Sequence, residues 1–163
     1  MATRAAPETK VDLGFLLSQA SYALSTQLTA ALAAVGITPR AYCVLSKALG
    51  AEKTQGALAA ECGLDKTTMV VTVDELEAAG LAERRPSTSD RRVRIIAVTP
   101  EGARKVAEAA EIVERVQREV LADLSPEERE GFLAGLARLA GGRLATPAPC
   151  ERPPRRRAPR VAA

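Results

Sequence analysis

Arginine is the residue type with the clearest capacity for binding chemistry in this chain. Five arginines and one aspartate lie between Arg84 and Arg94, which gives this stretch a local charge of +4. A guanidinium group stays charged at every physiological pH and binds phosphates and guanine bases through paired hydrogen bonds. Taken alone, a basic stretch of this length is typical of a solvated surface hairpin, so its meaning depends on the elements around it.

Histidine is absent from the 163 residues. This excludes His-based acid–base catalysis, Ser-His and Cys-His nucleophiles and His-ligated metals. The three cysteines, Cys43, Cys62 and Cys150, are odd in number and widely spaced. Such spacing is typical neither of a disulfide framework nor of a Cys-x-x-Cys metal site. Chemistry based on carboxylates alone or on lysine remains open, but no motif points to it, so we expect a protein that is not an enzyme and that has no metal or cofactor.

The net charge of +3 is unevenly distributed. Residues 146–163 hold five arginines and one glutamate, a charge of +4, so the remainder of the chain carries −1. The body is therefore not basic overall, and any argument for nucleic-acid binding must rest on where the charge lies.

The chain length predicts one domain with a tail. Residues 1–10 are expected to be a flexible N-terminus, and 143–163 a disordered basic tail whose composition cannot bury a core. No run of about 20 apolar residues is present to span a membrane. The first residues lack the apolar segment of a signal peptide. We therefore expect a cytoplasmic protein without membrane contact.

The centre of the chain has the pattern of a helix-turn-helix. Thr54 precedes a short helix from Gln55 to about Glu61, and Cys62-Gly63-Leu64 forms a tight turn. Asp65 then caps a longer helix from Lys66 to about Ala79, with Met69, Val73 and Leu76 on its inner face. Two helices joined by a short glycine-containing turn match this motif, although many helical hairpins share the pattern.

The basic stretch follows the second helix directly and is predicted to be a β-hairpin. Its second arm, Val93 to Val98, is apolar and β-branched, which favours a strand. The first arm is short and ends at Pro86, which cannot donate a ladder hydrogen bond. Between the two arms, Ser87-Thr88-Ser89-Asp90 is rich in turn-forming residues.

Amphipathic helices flank this centre. The spacing of Leu and Ala predicts a long helix from Val11 to about Ala34, closed by Gly36. Thr38-Pro39 begins another helix that runs to about Leu49, with Tyr42, Leu45 and Leu49 as its apolar stripe.

On the C-terminal side, a helix is predicted from Pro100 to about Leu124. Its apolar positions are Val106, Ala110, Val113, Val116 or Gln117, Val120 and Leu124. A final helix is capped by Ser125 with Glu128 in a capping box, and its stripe is Phe132, Leu133, Leu136 and Leu139.

The predicted fold class is therefore mainly α with a small β-hairpin wing. A winged helix-turn-helix at residues 38–99 is embedded between N- and C-terminal dimerisation helices at 11–37 and 100–142. The long helices at opposite chain ends have too little else in one protomer to pack against, which favours a homodimer. A helix in a major groove with an arginine hairpin in a neighbouring minor groove would bind double-stranded DNA.

Four segments resemble the MarR family of transcriptional regulators. Asp90-Arg91-Arg92 resembles the family's Asp-x-Arg at the wing tip, and Val98-Thr99-Pro100-Glu101-Gly102 its strand-to-helix exit. The segment Leu76–Arg84 resembles the end of its recognition helix, and Ile37-Thr38-Pro39 the start of its second helix. The resemblance covers roughly residues 12–140.

This resemblance implies a sequence-specific DNA-binding regulator, a repressor on a palindromic operator. It also implies a homodimer that is released by a small phenolic or aromatic ligand or by an oxidant. Arg92 matches the family arginine that enters the minor groove, with Asp90 orienting it or capping the turn. Arg91 and Arg94 are expected at phosphates, or, for Arg94, merely exposed on the strand.

The recognition helix supplies the remaining expected DNA contacts. These are Lys66, Thr67, Thr68, Val71 and Thr72. For Thr67 and Thr68 the alternative is a role in capping after Asp65. Val71 and Glu75 occupy positions where family members often carry arginine, so Val71 is expected to touch a thymine methyl instead.

A ligand pocket is expected between the dimer helices and the winged helix. Its candidate residues are Phe15, Tyr22, Arg40 and Tyr42. For the three aromatic residues core packing is the favoured role and ligand contact the second one, and Arg40 would meet a carboxylate. Cys43 and Cys62 are expected to be small buried hydrophobes, with redox sensing as the alternative. The competing function for the whole chain is a winged-helix protein-interaction module without DNA binding.

Overall fold

The computed structural model describes residues 11–146. The N-terminal residues 1–10, the basic tail from 147 onward and Cys150 lie outside this range. The elements in chain order are α1 (Leu13–Leu32) with a 3₁₀ turn (Ala33–Val35), α2 (Pro39–Ala48), α3 (Gln55–Glu61), α4 (Lys66–Ala78), β1 (Ala82–Pro86), β2 (Arg94–Val98), α5 (Pro100–Leu121) and α6 (Pro126–Gly141). The predicted fold class is confirmed: over residues 11–146 the chain is mainly helical with one antiparallel hairpin.

Short polar side chains set the helix starts. Thr38, Thr54, Asp65 and Ser125 each accept a hydrogen bond from the backbone N–H three residues on, as the sequence predicts. Ser125 and Glu128 form the full capping box. These bonds satisfy amide groups that have no partner within the helix, and the capping residue thereby fixes where each helix begins.

The hydrophobic core lies among α2, α3, α4 and the hairpin. Its fully buried side chains come from each of these elements and from the end of α1: Leu32, Val44, Leu45, Leu58, Met69, Val73 and Ile96. The inner face predicted for α4 is confirmed, because Met69, Val73 and Leu76 are all buried.

Some predicted core positions are wrong. Leu49 is 45% exposed, because it is the C-cap of α2 and its extended backbone (ψ 125°) turns it away from the helical stripe. Ala48 takes its place in the core. On α5 the buried residues include Ala109 and Ile112 rather than Ala110. That helix also ends at Leu121, three residues before the expected Leu124.

The hairpin is a two-stranded antiparallel sheet with one isolated bridge to a neighbouring segment. β1 and β2 pair from Ala82↔Val98 at the base to Pro86↔Arg94 at the end of the ladder. Lys53, in the segment between α2 and α3, adds an isolated bridge to Ile96, whose N–H donates to the Lys53 carbonyl at 3.0 Å. β2 begins at Arg94 rather than Val93, so the tip comprises residues 87–93.

The start of α5 is packed directly against the base of the hairpin. Thr99 donates its hydroxyl to the Gly80 carbonyl at 2.7 Å and accepts from the Gly102 N–H at 3.0 Å. A Cβ on Gly102 would lie 2.0 Å from the Leu81 carbonyl oxygen. Only glycine therefore permits this close approach between helix and hairpin.

The chain divides after Val120 into two compact units. In the first, α1 exposes a row of large apolar side chains and buries only Leu32. In the second, α6 buries none of its residues and exposes its whole stripe, Phe132, Leu133, Leu136 and Leu139. Each helix therefore presents apolar surface to solvent in the single protomer.

Within residues 11–146, no single helix is long and apolar enough to cross a membrane. Leu13–Val35 and Pro39–Ala48 meet the length and hydropathy requirements only as a pair, across a 75° bend. The same residues contain no group of three or more Cys, Asp or Glu side chains arranged to hold a metal ion.

Candidate nucleic-acid interface

Helix α4 presents a short exposed face at its N-terminal end. Lys66, Thr67 and Val71 lie on this face, as the sequence predicts. Val70, which the sequence analysis missed, lies there too: it is 42% exposed, and its neighbour Val71 is 46% exposed. Its position three residues after Thr67 places it on the same side of the helix, which the helical period alone would have shown.

Thr72 does not lie on this face, and its prediction as a DNA contact is wrong. Only 1% of the residue is exposed, because it follows the same helical spacing as the core positions Met69 and Leu76. Its hydroxyl donates to the Thr68 carbonyl at 2.7 Å. That bond satisfies the buried polar group within the helix and leaves nothing for a ligand to contact.

Thr68 takes part in capping the start of α4, which was the alternative to a DNA contact for this residue. The Asp65 carboxylate accepts from the Thr68 N–H at 2.9 Å and from its hydroxyl at 2.6 Å. These bonds, the hydroxyl bond first, hold the pKa of Asp65 below its usual value. The Thr68 hydroxyl is therefore already committed to the helix start, whereas Thr67 stays exposed.

The charge of α4 is unusual for a helix expected to approach DNA. It carries Lys66 against Asp74, Glu75 and Glu77, a net charge of −2. Cations from outside the helix offset these carboxylates. Arg40 on α2 lies 3.7 Å from Glu75, and Arg84 on β1 lies 2.7 Å from Asp74 and also pairs with Glu77.

Arg84 therefore joins neighbouring elements and is not part of the exposed basic tip. Its backbone N–H donates to Glu77 Oε1 at 2.6 Å, and its guanidinium donates to Gln55 Oε1 at 3.1 and 3.2 Å. It thus connects β1 to both helices of the helix-turn-helix. The local charge of +4 inferred for the stretch overstates the free charge of the hairpin, since one of its five arginines is paired inward.

The arginines available at the hairpin tip are Arg91 and Arg92, with Arg94 at the start of β2. All three are exposed. Asp90 shapes the turn that presents them: its carboxylate accepts from the Arg92 N–H at 2.9 Å, and its carbonyl accepts from the Val93 N–H at 2.9 Å. The turn-capping role expected for Asp90 is what the geometry shows.

The base of the tip is held by a carboxylate that the sequence analysis missed. Glu52, between α2 and α3, accepts from the Ser87 hydroxyl at 2.5 Å and from the Thr88 N–H at 3.0 and 3.2 Å. These bonds, Ser87 first, lower the pKa of Glu52. We call Glu52, Ser87 and Thr88 the wing anchor. A 35-residue separation between Glu52 and Ser87 leaves no local sequence signal for this contact.

The four candidate ligand residues are not gathered in one site. Phe15 and Tyr22 are 61% and 74% exposed on α1, so the core packing favoured for both is wrong within the protomer. Tyr22 lines an open groove of about 350 Å³ along α1, with Ser25, Thr26, Thr29 and Ala30. Arg40 pairs with Glu75, as described above. Tyr42 is half-buried, and burial, with the nearby Glu114 charge second, raises the pKa of its phenol.

A second cavity, of about 250 Å³, lies beside the hairpin and contains none of the predicted ligand residues. Its lining includes Leu49, Glu52, Arg85 and Ile95.

Cys43 and Cys62 are neighbours in space despite their distance in sequence. Both are half-buried free thiols. Burial, and next the adjacent Cys43, raise the pKa of the Cys62 thiol to about 12. Because the thiolate is the species that oxidants attack, this environment favours packing over redox sensing at Cys62.

Comparison with known proteins places this architecture in a family. Residues 35–93 match the model of the MarR family. A Thauera aromatica protein proposed as the transcriptional regulatory protein for the hcr operon is 32% identical over 139 residues, which are 84% of each chain. A MarR-family transcriptional regulator from Rhodococcus sp. RHA1 shares 30% identity, with a TM-score of 0.74 over 83% of this chain and 96% of that one.

CouR has been solved in two relevant states. CouR from Rhodococcus jostii RHA1 bound to p-coumaroyl-CoA is 30% identical, with a TM-score of 0.75 over 90% of this chain and all of that one. The transcriptional repressor CouR bound to a 23-mer DNA duplex is 28% identical, with a TM-score of 0.74 over 85% and 99% of the two chains. From its fold and these likenesses over most of its length, the present chain belongs to the MarR family of transcriptional regulators.

Proposed function

We propose that this protein is a homodimeric repressor that binds a palindromic site in double-stranded DNA and is released by a small aromatic ligand. The observation that carries the proposal is the exposed arginine tip, Arg91 and Arg92, together with the exposed N-terminal face of α4 in the same domain. Such an arrangement suits a helix in the major groove and an arginine in the adjacent minor groove. The protein would act in the cytoplasm, where it can reach the DNA.

The proposed DNA contacts follow from exposure and charge. Lys66, Arg91 and Arg94 are suited to phosphates, and Arg92 to the minor groove, with Asp90 shaping its turn. Thr67, Val71 and Val70 are suited to base edges, where valine methyls favour thymine. The structure of CouR on a 23-mer duplex supports this assignment, because that chain shares the fold along nearly its whole length.

The proposed dimer rests on the exposed apolar surfaces of α1 and α6. Residues 11–37 and 100–142 would supply the dimerisation helices, and 38–99 the DNA-binding domain. A symmetric dimer presents two copies of α4, so its operator should be palindromic with half-sites about one helical turn apart.

The proposed effector is an aromatic compound, and an aryl-CoA thioester is the first class to test. The CouR complex with p-coumaroyl-CoA supports this choice. The pKa of Cys62 near 12 makes that thiol a poor target for the alternative trigger, an oxidant. Phe15, Tyr22, Arg40 and Tyr42 remain proposed ligand contacts, which the dimer would have to bring together.

DNA binding is tested by selecting duplexes from a random pool and measuring their affinity by fluorescence anisotropy at several salt concentrations. Arg92→Ala is expected to weaken binding at least about tenfold, because it removes a minor-groove contact. Arg118→Ala, which removes the same charge near the far end of α5, is the control and should change affinity little. Failure of the wild type to enrich any duplex at low salt would instead support the protein-interaction module.

Release is tested by adding p-coumaroyl-CoA, free coumarate and CoA separately to the preformed complex. Dissociation by the thioester alone would support the proposed class. Dissociation by none of the three would contradict it without affecting the proposal for DNA.

A further inference from the structure

We propose that Glu52 is a positioning residue for DNA binding, which holds the arginine tip of the wing in place through the wing anchor. This inference rests on the proposed function, since it concerns how Arg91 and Arg92 are presented to DNA. Glu52 itself touches no DNA in this proposal. It acts through Ser87 and Thr88, at the point where the tip leaves the sheet.

Hydrogen bonds engage both carboxylate oxygens of Glu52 and both tip residues of the wing anchor, Ser87 and Thr88. Glu52 uses both carboxylate oxygens, one on the Ser87 hydroxyl at 2.5 Å and both on the Thr88 N–H at 3.0 and 3.2 Å. Ser87 is only 6% exposed although it is polar. Hydrogen bonds to a charged group are shorter and stronger than neutral ones, so they restrain the first residues of the tip.

Ser87 transmits that restraint to the rest of the tip. Its N–H donates to the Val93 carbonyl at 2.9 Å, and its hydroxyl oxygen accepts from the Ser89 N–H at 3.1 Å. Val93 in turn donates to the Asp90 carbonyl at 2.9 Å. The segment that carries Arg91 and Arg92 is thus connected by successive hydrogen bonds to Glu52 in the body of the domain.

The ladder itself is a weak support at this end. Its last pair is Pro86↔Arg94, and proline has no N–H to donate. Beyond that pair, the backbone bond from the Ser87 N–H to the Val93 carbonyl still joins the two arms of the hairpin. The wing anchor adds a second attachment at that position, from Glu52 in the body of the domain.

The negative charge of Glu52 allows its positioning role to be separated from a simple electrostatic effect on DNA binding. A carboxylate close to a DNA-binding surface repels phosphates, so removing it should by charge alone tighten DNA binding. Positioning predicts the opposite: Glu52→Ala should weaken binding about three- to tenfold, less than the loss of Arg92 itself. Glu83→Ala is the matched control, because it removes the same charge from an exposed site on β1 and should leave affinity unchanged or slightly tighter.

A double-mutant cycle separates positioning from general destabilisation. If Glu52 acts through the tip, Glu52→Ala should no longer weaken binding once Arg91 and Arg92 are both replaced by alanine, and the loss of its charge should then leave affinity unchanged or slightly tighter. In a Thr67→Ala background, where the wing is intact, it should keep its full effect. Ser87→Ala removes the same bond from the other side, so it should reproduce part of the loss and add little to Glu52→Ala.

Hydrogen exchange of the Thr88 amide gives a readout without DNA. Its protection should fall in Glu52→Ala and be partly retained in Glu52→Gln, while the melting temperature decides whether each variant is folded. Wild-type affinity in a folded Glu52→Ala protein, or tighter binding, overturns the positioning role alone. If Glu52→Ala does not fold, Glu52→Gln and Ser87→Ala serve as the test. Unchanged DNA affinity in both of these variants overturns the positioning role. A wild type that binds no duplex overturns the proposed function and this inference together.

Discussion

Three threonines on α4 show how the hydrogen bonding of a hydroxyl decides what the residue can contact. Thr68 and Thr72 both lie in the helix that is expected to meet DNA, and both hydroxyls are bonded within the helix start or its backbone. Thr67 has its side chain on the exposed face instead. Side-chain type alone therefore does not identify a base contact, since helix capping and back-bonding compete for the same group.

The raised pKa of Cys62 predicts how the free energy of unfolding changes at alkaline pH. The unfolded thiol ionises near its usual pKa of 9.0, whereas the folded one keeps its proton until about pH 12. A raised pKa contributes stability that is fully present below the unfolded value and is lost as the pH rises above it. The free energy of unfolding in urea should therefore fall as the pH rises from about 9 towards about 12, and Cys62→Ala should make that fall shallower.

The slope with pH is the quantity to compare, because Cys62→Ala also leaves a small cavity that lowers stability at every pH. The pKa of the Tyr42 phenol is raised as well, so Tyr42→Phe serves as a second variant that removes a separate part of the slope. Identical slopes in wild type and Cys62→Ala would contradict the buried, protonated thiol.

At the level of elements, the contact between α5 and the hairpin depends on a single missing methyl group. Gly102→Ala would place a Cβ 2.0 Å from the Leu81 carbonyl oxygen and 2.8 Å from a Val98 methyl. The helix or the hairpin must then shift, and we expect a loss of about 1–3 kcal/mol in the free energy of unfolding. Chemical denaturation monitored by circular dichroism measures this loss.

Gly56→Ala in α3 is the matched control for that substitution. Its nearest neighbour, the Thr54 hydroxyl, is 4.0 Å from the position of the added Cβ. Because alanine favours helix over glycine, this change should be neutral or stabilising by up to about 1 kcal/mol. Equal stability of the two variants would show that the helix and hairpin are less tightly packed than described.

Local chemistry made several elements predictable. The caps at Thr38, Thr54, Asp65 and Ser125 act over three residues, and the core of α4 follows the helical period, so the sequence pattern contains both. The tip arginines and the turn at Asp90 were predictable for the same reason, since Asp90 bonds a residue two positions away.

Contacts between distant segments could not be predicted in this way. Glu52 and Ser87, Arg84 and Gln55, and Cys43 and Cys62 meet only after the helices have packed. Each lies in a stretch whose own pattern is equally consistent with a solvated side chain or an isolated thiol. The prediction of Leu49 as a core residue was wrong because α2 ends one residue earlier than its apolar spacing implied.

For the whole molecule, the exposed stripe of α6 predicts how the dimer would be disrupted. Leu136→Glu places a charge in the middle of Phe132, Leu133 and Leu139, which would have to be desolvated in an interface. We expect the wild type to have twice the mass of one chain in light scattering, and the variant to shift towards the monomer. DNA affinity should fall with it, because one half-site alone binds weakly.

Ala134→Glu is the matched control, since helical spacing places it on the opposite side of α6. It should keep the dimer mass. A monomeric wild type, or a dimer that survives Leu136→Glu unchanged, would show that this stripe is covered in another way.

The close seat of α5 at Gly102 has a mechanical consequence. The helix has 22 residues and is therefore about 33 Å long. A displacement of about 6 Å at its far end corresponds to a turn of only about 10° at its seat. Because Arg84 bonds β1 to α3 and α4, the hairpin and the helix-turn-helix would rotate together as one unit. A displacement at the far end of α5 would thus reach the hairpin as a small change of angle.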